Sequence, residues 1–302
     1  MRVDDRPRET IRKGWEKEVT DLIDNTIAPT TKRVYKQRVK QFRQFCRRQK
    51  LASEGDEVIN SIEYWVANLN REGASYQAVL GCLAAVRFWL RRAGSTSNLD
   101  SQRLRLMLRG LRRVAPATVR KHPVTVSHLT CMIQAADILG TKERRRFKAM
   151  AAVAFFGFLR PSELCMTDAE HYLRVKDIKF SHLNLLHCRL KLRSSKHSRR
   201  PAIVNLYDFP EEKVKPVRLL RKYIKSLGQV GQRSPLFAIT ARQFGKMLGE
   251  ITQEARIRKK ITPHCFRHGG ASWANEKGWS LSKIKSHDRW KSSAYESYIT
   301  AL

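Results

Sequence analysis

The sequence has few acidic residues for its length. Only 27 aspartates and glutamates stand against 60 lysines and arginines, which gives the 302 residues a formal net charge of +33. Both halves of the chain are basic, so the charge does not belong to one tail. This imbalance predicts a polyanion in contact with both halves, and nucleic acid is the commonest such partner. A ribosomal or other RNA-coating protein is the alternative, although such proteins are usually shorter and less apolar.

Other absences narrow the class further. No apolar run approaches the roughly 18 residues of a membrane-spanning helix, so we expect no membrane association. The N-terminus is charged throughout, unlike a signal peptide. None of the six cysteines forms a C-x-x-C pair, which predicts reduced, mostly buried thiols in an intracellular protein. His264, Cys265 and His268 have no second ligand pair nearby, so we expect no zinc site.

With 42% hydrophobic residues the chain can build real cores, and its first part predicts a helical domain. Residues 1–22 are polar and are expected to form a loose or partly helical arm. Pro29-Thr30-Thr31 then opens a helix, with a threonine as its cap. One apolar stripe runs along this helix through Tyr35, Val39, Phe42 and Cys46. Three more helices complete an all-α DNA-binding domain over residues 23–113, and they are expected at about 51–70, 75–93 and 99–113.

The helix that begins near residue 30 has a strongly basic second face. Its eight cations, with no acid among them, are Lys32, Arg33, Lys36, Arg38, Lys40, Arg43, Arg47 and Arg48. A solvated helix face is the alternative, but so uniform a charge favours contact with DNA. We select six of them as DNA-binding residues: Lys32, Arg33, Lys36, Lys40, Arg43 and Arg47. Residues 51–70 carry four acids and no lysine or arginine, so this segment is expected to face away from DNA or to contact another subunit.

Residues 114–123 contain two prolines and little periodicity, which predicts an extended linker. Such a linker between two basic domains suits a clamp around a duplex. The second domain, residues 124–302, is expected to be mainly α with a small antiparallel sheet, an α+β fold. Its expected strands are 172–180, 184–193 and 201–206. Its expected helices are about 125–138, capped by Thr125 or Ser127, 143–159, 214–227, 240–255, 263–277, 280–286 and 292–300.

Two short motifs place cations beside helix ends. Arg160 precedes Pro161 at the end of an apolar helix, and Glu163 is the acid expected to pair with it. His264 and Arg267 lie three apart, on one face of the first turn of a helix opened by Thr262 and Pro263. Such a helix N-terminus favours anions. Guanidinium groups grip phosphate oxygens bidentately and offset the charge of a phosphodiester under attack, although each motif alone also fits an ordinary surface salt bridge.

Tyr298 lies among serines near the end of the sequence. Its phenol can attack phosphorus and hold it covalently, and the alternative is a half-buried C-terminal tyrosine. In this order the residues resemble the tyrosine recombinase, or phage integrase, family. The resemblance covers residues 123–302, and the basic helical domain looks like the family's core-binding domain. It implies cleavage of DNA through a 3′-phosphotyrosine, without metal, ATP or another cofactor.

The resemblance also implies a role for each matching residue. Arg160 lies in the pattern G-x-R-x-S-E-L, with Glu163 as its supporting acid, and His264 and Arg267 match H-x-x-R. Tyr298 is the nucleophile, with Tyr295 as the alternative. In the turn between the last two strands, Lys196 protonates the leaving 5′-oxygen and Arg199 and Arg200 are expected to contact DNA. The partners implied are double-stranded DNA and three further copies, in a homo-tetramer on two DNA sites.

Residues 288–299 are similar to the G-R-W-K-S-x-A-x-x-x-Y-I ending of DIRS-type retrotransposon and Crypton recombinases. These are eukaryotic mobile elements, which implies a nuclear protein, or a cytoplasmic one in another host. Asp288 replaces the glycine of that pattern. The family's histidine or tryptophan lies nine residues before the tyrosine, where this chain has Arg289; we expect Trp290 to fill that role, with Arg289 as the alternative.

Only four residues follow Tyr298. The helix that many family members exchange between subunits beyond the tyrosine is therefore missing from this sequence, and assembly is expected to use other surfaces unless the copy is truncated. Two other functions fit the same residues. One is a type IB topoisomerase-like enzyme with the same chemistry, and the other is a DNA-binding protein derived from a mobile element that no longer cleaves.

Overall fold

The computed structural model describes residues 8–95, 101–116, 122–167, 172–193 and 201–289. The chain divides into two compact units, Met1–Thr118 and Val119–Leu302, and the division falls inside the segment predicted as a linker. Within the described part of the chain, no helix is long and apolar enough to cross a membrane.

The described part of the first unit is helical throughout. Its helices are α1 (Arg8–Asp24), α2 (Pro29–Gln49), α3 (Val58–Arg71), α4 (Tyr76–Arg92) and α5 (Gln102–Val114). Phe42 of α2 is fully buried and packs on Trp65 of α3 and Trp89 of α4, with ring centroids 5.1 and 6.5 Å apart. The apolar stripe predicted on α2 therefore faces the core, with Phe42 and Cys46 buried.

The polar arm is partly helical, which was one of the two alternatives expected, and its helix α1 runs to Asp24, beyond the expected end of the arm. One expectation for this unit differs from the structure. The threonine cap is wrong, because α2 begins at Pro29 and its N-cap is Ala28, without a side-chain hydrogen bond. A proline at the first helical position has no N–H group that needs a partner, so this terminus depends less on a side-chain cap.

The second unit packs helices around a small antiparallel sheet. In order, its elements are α6 (Val126–Ala135), α7 (Thr141–Phe156), α8 (Pro161–Leu164), β1 (Ile178–Phe180), β2 (His187–Leu192), β3 (Ala202–Tyr207), α9 (Pro216–Ser226), α10 (Ala241–Glu254), α11 (Pro263–Glu276) and α12 (Leu281–Asp288). The strand order is β1-β2-β3, with Ile178 opposite Leu190 and Leu190 opposite Val204. Mainly helical with a small antiparallel sheet, the fold is the predicted α+β class.

The sheet has one buried face, because side chains alternate along β2. Cys188, Leu190 and Leu192 point into the core, whereas Arg189 and Lys191 are exposed. The first strand is shorter than expected. Residues 175–177 form a 3₁₀ turn instead, because the Asp177 carboxylate accepts the backbone N–H of Arg174 at 2.9 Å and closes that turn.

Thr125 caps α6 by accepting the backbone N–H of His128 at 3.1 Å, as one of the two alternatives predicted. The cysteines are free thiols, and all except the exposed Cys131 are buried, which confirms the prediction that most of the thiols are buried. Burial raises the pKa of Cys165 and of Cys188 to about 12, so these two thiols stay protonated and unreactive near neutral pH.

The end of α7 shapes the chemical site. This helix stops at Phe156, three residues earlier than predicted, and the chain reverses through Phe158, whose φ is +48°. Arg160 follows in an extended conformation (φ −74°, ψ 150°), as expected for a residue before proline. Pro161 then opens the short helix α8. We refer to residues 156–163 as the α7–α8 turn.

Candidate active site and nucleic-acid interface

Arg160 and Glu163 form a reciprocal pair within the α7–α8 turn. The Glu163 carboxylate accepts the backbone N–H of Arg160 at 2.8 Å and its Nη1 at 3.1 Å. The ion pair expected between these two residues is therefore present. The Arg160 side chain keeps 20% of its surface exposed, whereas that of Glu163 keeps 1%. The buried carboxylate thus holds the Arg160 side chain in place, while part of that side chain is exposed to solvent.

A second guanidinium binds the same carboxylate from the C-terminal end of the chain. Nη2 of Arg289 lies 3.0 Å from Oε2 of Glu163, and its Nη1 donates to the carbonyl oxygen of His287 at 3.1 Å. Arg289 has φ +63°, so the backbone leaves α12 through a left-handed turn that directs this side chain back to Glu163. A buried carboxylate between two cations is stable because its charge is compensated on both sides.

Arg267 reaches the α7–α8 turn from the first turn of α11. Its Nη1 donates to the carbonyl oxygen of Phe158 at 2.7 Å, and the residue is only 1% exposed. His264 lies on the same helical turn and is exposed. Thr262 and Pro263 open the helix as predicted, although the Thr262 hydroxyl contacts Cys265 Sγ at 3.3 Å instead of a backbone N–H group.

His287 contacts this turn as well, and the sequence gave no indication of it. Its Nε2 lies 3.0 Å from the carbonyl oxygen of Phe156. Its ring meets the ring of Phe158 edge-on, with centroids 4.6 Å apart. Burial, together with the positive charges of Arg289, Lys283 and Arg267, lowers the pKa of His287 to about 4. An isolated histidine carries no motif, so only the fold shows this contact.

The structure thus brings three guanidiniums, those of Arg160, Arg267 and Arg289, to the α7–α8 turn. Glu163 pairs with Arg160 and Arg289, and Arg267 binds the backbone of the turn. Such a cluster favours an anion. Both Arg160 and Arg267 were predicted from the sequence to bind a phosphate, but the structure buries the Arg267 side chain. The remaining predicted site residues, Lys196, Arg199, Arg200, Trp290, Tyr295 and Tyr298, lie outside the described residues.

A separate cationic surface lies on the first unit. All six residues selected on α2 are exposed: Lys32, Arg33, Lys36, Lys40, Arg43 and Arg47. Most of them border a groove of about 590 Å³ between α2 and α4, which has an aromatic floor of Tyr35, Phe88 and Trp89. The Arg43 guanidinium stacks over the Trp89 ring at 5.6 Å from its centroid. We call this surface the α2–α4 groove.

The α2–α4 groove also contains an acid, Asp24, that was not predicted from the sequence. Asp24, at the end of α1, contacts Lys32 at 2.6 Å and Arg92 of α4 at 2.5 Å. Hydrogen bonds from Arg92 and Lys32 hold the pKa of the Asp24 carboxyl below its usual value. The charge of Lys32 is therefore partly compensated, unlike the uniform basic face that was expected.

Comparison with known proteins agrees with this architecture. The Phage integrase family matches residues 124–298, which is more than half of the chain. The protein therefore belongs to the phage integrase family. Among curated protein sequences, none matches the chain.

Solved structures of two integrases and one recombinase are similar in fold over most of the chain, at low sequence identity. A lambda integrase dimer bound to a COC′ core site is 17% identical, with a TM-score of 0.66, over 97% of this chain and 95% of that chain. The Tn1549 transposon integrase in complex with circular intermediate DNA is 17% identical, with a TM-score of 0.58, over 94% and 96%. The XerH recombinase bound to palindromic difH substrate is 16% identical, with a TM-score of 0.56, over 80% and 67%. At these identities the likeness establishes the fold.

Proposed function

We propose that this protein cleaves and rejoins DNA strands through a covalent 3′-phosphotyrosine, in recombination or integration of a mobile element. The observation that carries the proposal is the cluster of Arg160, Arg267 and Arg289 on the α7–α8 turn, held in part by Glu163. A buried acid that fixes guanidiniums while one of them stays partly exposed is a suitable device for binding a phosphate in a defined orientation. Family membership supports the same reaction.

In the proposed reaction, Tyr298 attacks the scissile phosphorus, and the bond from phosphorus to the 5′-oxygen breaks. Lys196 donates a proton to the leaving 5′-oxygen, and the exposed imidazole of His264 accepts the proton of the attacking phenol. Arg160 binds a non-bridging oxygen and offsets the charge of the transition state. Reversal by a new 5′-hydroxyl rejoins the strand. The energy of the broken bond is kept in the phosphotyrosine, so no nucleotide triphosphate is consumed.

Arg289 occupies the place that we assign to the family's histidine or tryptophan. It lies nine residues before Tyr298 and contacts Glu163, so its guanidinium can donate to a non-bridging oxygen beside Arg160. Trp290, which the sequence led us to expect in that role, becomes the alternative. Arg267 is buried, so we assign it the holding of the α7–α8 turn through the carbonyl oxygen of Phe158.

The α2–α4 groove is the surface that we propose for duplex binding outside the cleavage site. Its exposed cations supply contacts to phosphates, which are independent of sequence. We further propose that four copies assemble on two DNA sites and that the protein is nuclear in a eukaryotic host. On the basis of residues 288–299, we also propose that the chain is related to the recombinases of DIRS-type or Crypton elements.

The test is capture of a covalent adduct on a nicked suicide substrate, cut from the DNA that flanks the gene. We expect a labelled DNA strand that migrates with the protein on a denaturing gel. Arg160→Ala and His264→Ala should reduce the yield strongly, whereas Arg12→Ala, on exposed α1, should not change it. DNA binding without any adduct would favour the DNA-binding protein that no longer cleaves. Relaxation of supercoils at undefined sites would favour the type IB topoisomerase-like enzyme.

A further inference from the structure

His287 joins the last turn of α12 to the end of α7, and the proposed chemistry gives it no task. Its Nε2 lies 3.0 Å from the carbonyl oxygen of Phe156, while its ring packs edge-on against Phe158 at 4.6 Å and against Trp279 at 5.5 Å. A histidine enclosed in this way by aromatic rings, with one polar contact to its side chain among the described residues, is held in a single orientation.

The polar contact fixes the tautomer of the ring. A carbonyl oxygen only accepts hydrogen bonds, so Nε2 must carry the proton and donate it to Phe156. Burial and three nearby cations, Arg289, Lys283 and Arg267, keep the ring neutral near pH 7. The N–H group at Nε2 is therefore the feature of this side chain that another residue would need to reproduce.

The segment that His287 contacts also receives Arg267. The carbonyl oxygen of Phe158, two residues after Phe156, accepts Nη1 of Arg267 at 2.7 Å. Phe158 has φ +48°, a conformation that residues with a side chain adopt rarely and only when their surroundings hold them. The His287 ring lies against the Phe158 ring and so helps to hold this conformation.

On its other side, His287 leads directly to Arg289. The backbone turns at Arg289 through φ +63°, and Nη1 of this arginine donates to the carbonyl oxygen of His287. The backbone of His287 thus anchors the guanidinium that binds Glu163, while its ring anchors the same helix end to Phe156. Displacement of His287 would move both contacts together.

We propose that His287 is a positioning residue, which holds the end of α12 on the α7–α8 turn so that Arg289 stays on Glu163 and the chain toward Tyr298 starts from a fixed point. This inference rests on the proposed strand cleavage. We assign His287 no contact with the scissile phosphate. It acts through Arg289 and through the place at which α12 ends.

Two polar variants separate the role of the Nε2–H group from that of side-chain size. In His287→Gln the amide nitrogen lies at the same distance along the side chain as Nε2, so it can donate to Phe156. In His287→Asn the amide is one carbon shorter and does not reach. We expect the single-turnover rate of adduct formation to stay near that of the original protein in His287→Gln. In His287→Asn we expect it to fall by about tenfold to a hundredfold, since a buried carbonyl loses its donor.

DNA affinity and thermal melting, measured on the same proteins, distinguish positioning from general destabilisation. We expect the two variants to bind the suicide substrate equally well and to be folded at the assay temperature. A further variant tests the route of the effect: with Arg289→Ala already present, His287→Asn should cause a smaller loss than it causes alone, because part of its effect passes through Arg289. Equal cleavage rates in His287→Gln and His287→Asn, or fully independent losses with Arg289→Ala, would overturn the inference.

The outcome is separable from that of the proposed function. If the original protein forms no adduct, the proposed strand cleavage fails, and the inference fails with it. If the original protein forms the adduct and both His287 variants match it, only the positioning role of His287 is lost.

Discussion

Glu163 and Arg289 are joined across 126 residues of chain, with Oε2 of the carboxylate 3.0 Å from Nη2 of the guanidinium. The same carboxylate holds Arg160, its neighbour three residues earlier. One buried acid therefore pairs with two cations, Arg160 and Arg289, that are far apart in the sequence.

Glu163→Ala should destabilise the second unit strongly. It leaves two guanidiniums without their shared counter-charge, and removing one partner of a buried ion pair costs about 3–5 kcal/mol. Denaturant unfolding followed by circular dichroism measures the change. The matched control is Glu250→Ala, because Glu250 is exposed and lies 3.9 Å from Lys246 on the same helix. That surface pair should contribute less than about 1 kcal/mol. Equal losses in the two variants would contradict a central role for Glu163.

Gly270→Ala should destabilise α11 against the α7–α8 turn. A Cβ at this position would lie 2.0 Å from the carbonyl oxygen of Phe155 and 2.5 Å from the Phe158 ring, so backbone would have to shift. Such overpacking costs about 3 kcal/mol. Gly249→Ala is the matched control, since this glycine of α10 has nothing within 4 Å of its Cβ position. The control should stabilise the protein by about 0.5–1 kcal/mol, which reflects helix propensity alone. Thermal melting of both variants measures these changes, and equal melting temperatures would contradict the prediction.

His287 should make stability depend on pH between 6.5 and 4. Its pKa is lowered from 6.5 to about 4 in the folded protein, so within this window the unfolded chain binds a proton that the folded chain does not. The contribution is fully present above pH 6.5 and is lost as the pH falls toward 4, and it amounts to about 3 kcal/mol. Urea unfolding at several pH values measures it. In His287→Gln, which cannot titrate at this position, the loss of stability between pH 6.5 and 4 should be smaller by that amount; an unchanged loss would refute the assignment.

Arg43→Ala and Arg47→Ala should weaken DNA binding and lower its salt dependence. Each lost phosphate contact reduces the slope of log affinity against log salt by about one. Lys32→Ala should have a smaller effect than either, because Asp24 already compensates part of its charge. Arg12→Ala removes the same formal charge from α1, where Arg12 pairs with Glu16 at 3.4 Å, and should leave the slope unchanged. Fluorescence anisotropy at graded salt tests all four; equal effects would mean that net charge alone decides binding.

Local patterns in the sequence predicted the elements well. Apolar periodicity located most helices, and the motif around Arg160 predicted its pairing with Glu163, since the two are only three residues apart. The same reasoning placed the end of α7 too late. Apolar residues continue through Leu159, so periodicity showed no end at Phe156, and the positive φ of Phe158 has no sequence signature in a phenylalanine.

Long-range contacts could not be read in this way. The sequence gives no distance between Glu163 and Arg289, and nothing in it connects His287 with Phe156. The acid in the α2–α4 groove is similar: Asp24 ends one helix and Arg92 ends another, 68 residues away. These contacts exist because packing of the apolar faces brings helix ends together, and that packing is decided by the whole fold.

Identification of the residue that becomes linked to DNA tests the central claim most directly. The adduct trapped on the suicide substrate would be digested with protease and nuclease, and the peptide that retains the nucleotide would be sequenced by mass spectrometry. We predict a 3′-phosphate ester on Tyr298 and no adduct from Tyr298→Phe. A link to Tyr295, or to any residue other than Tyr298, would contradict the account, as would undiminished trapping by Tyr298→Phe.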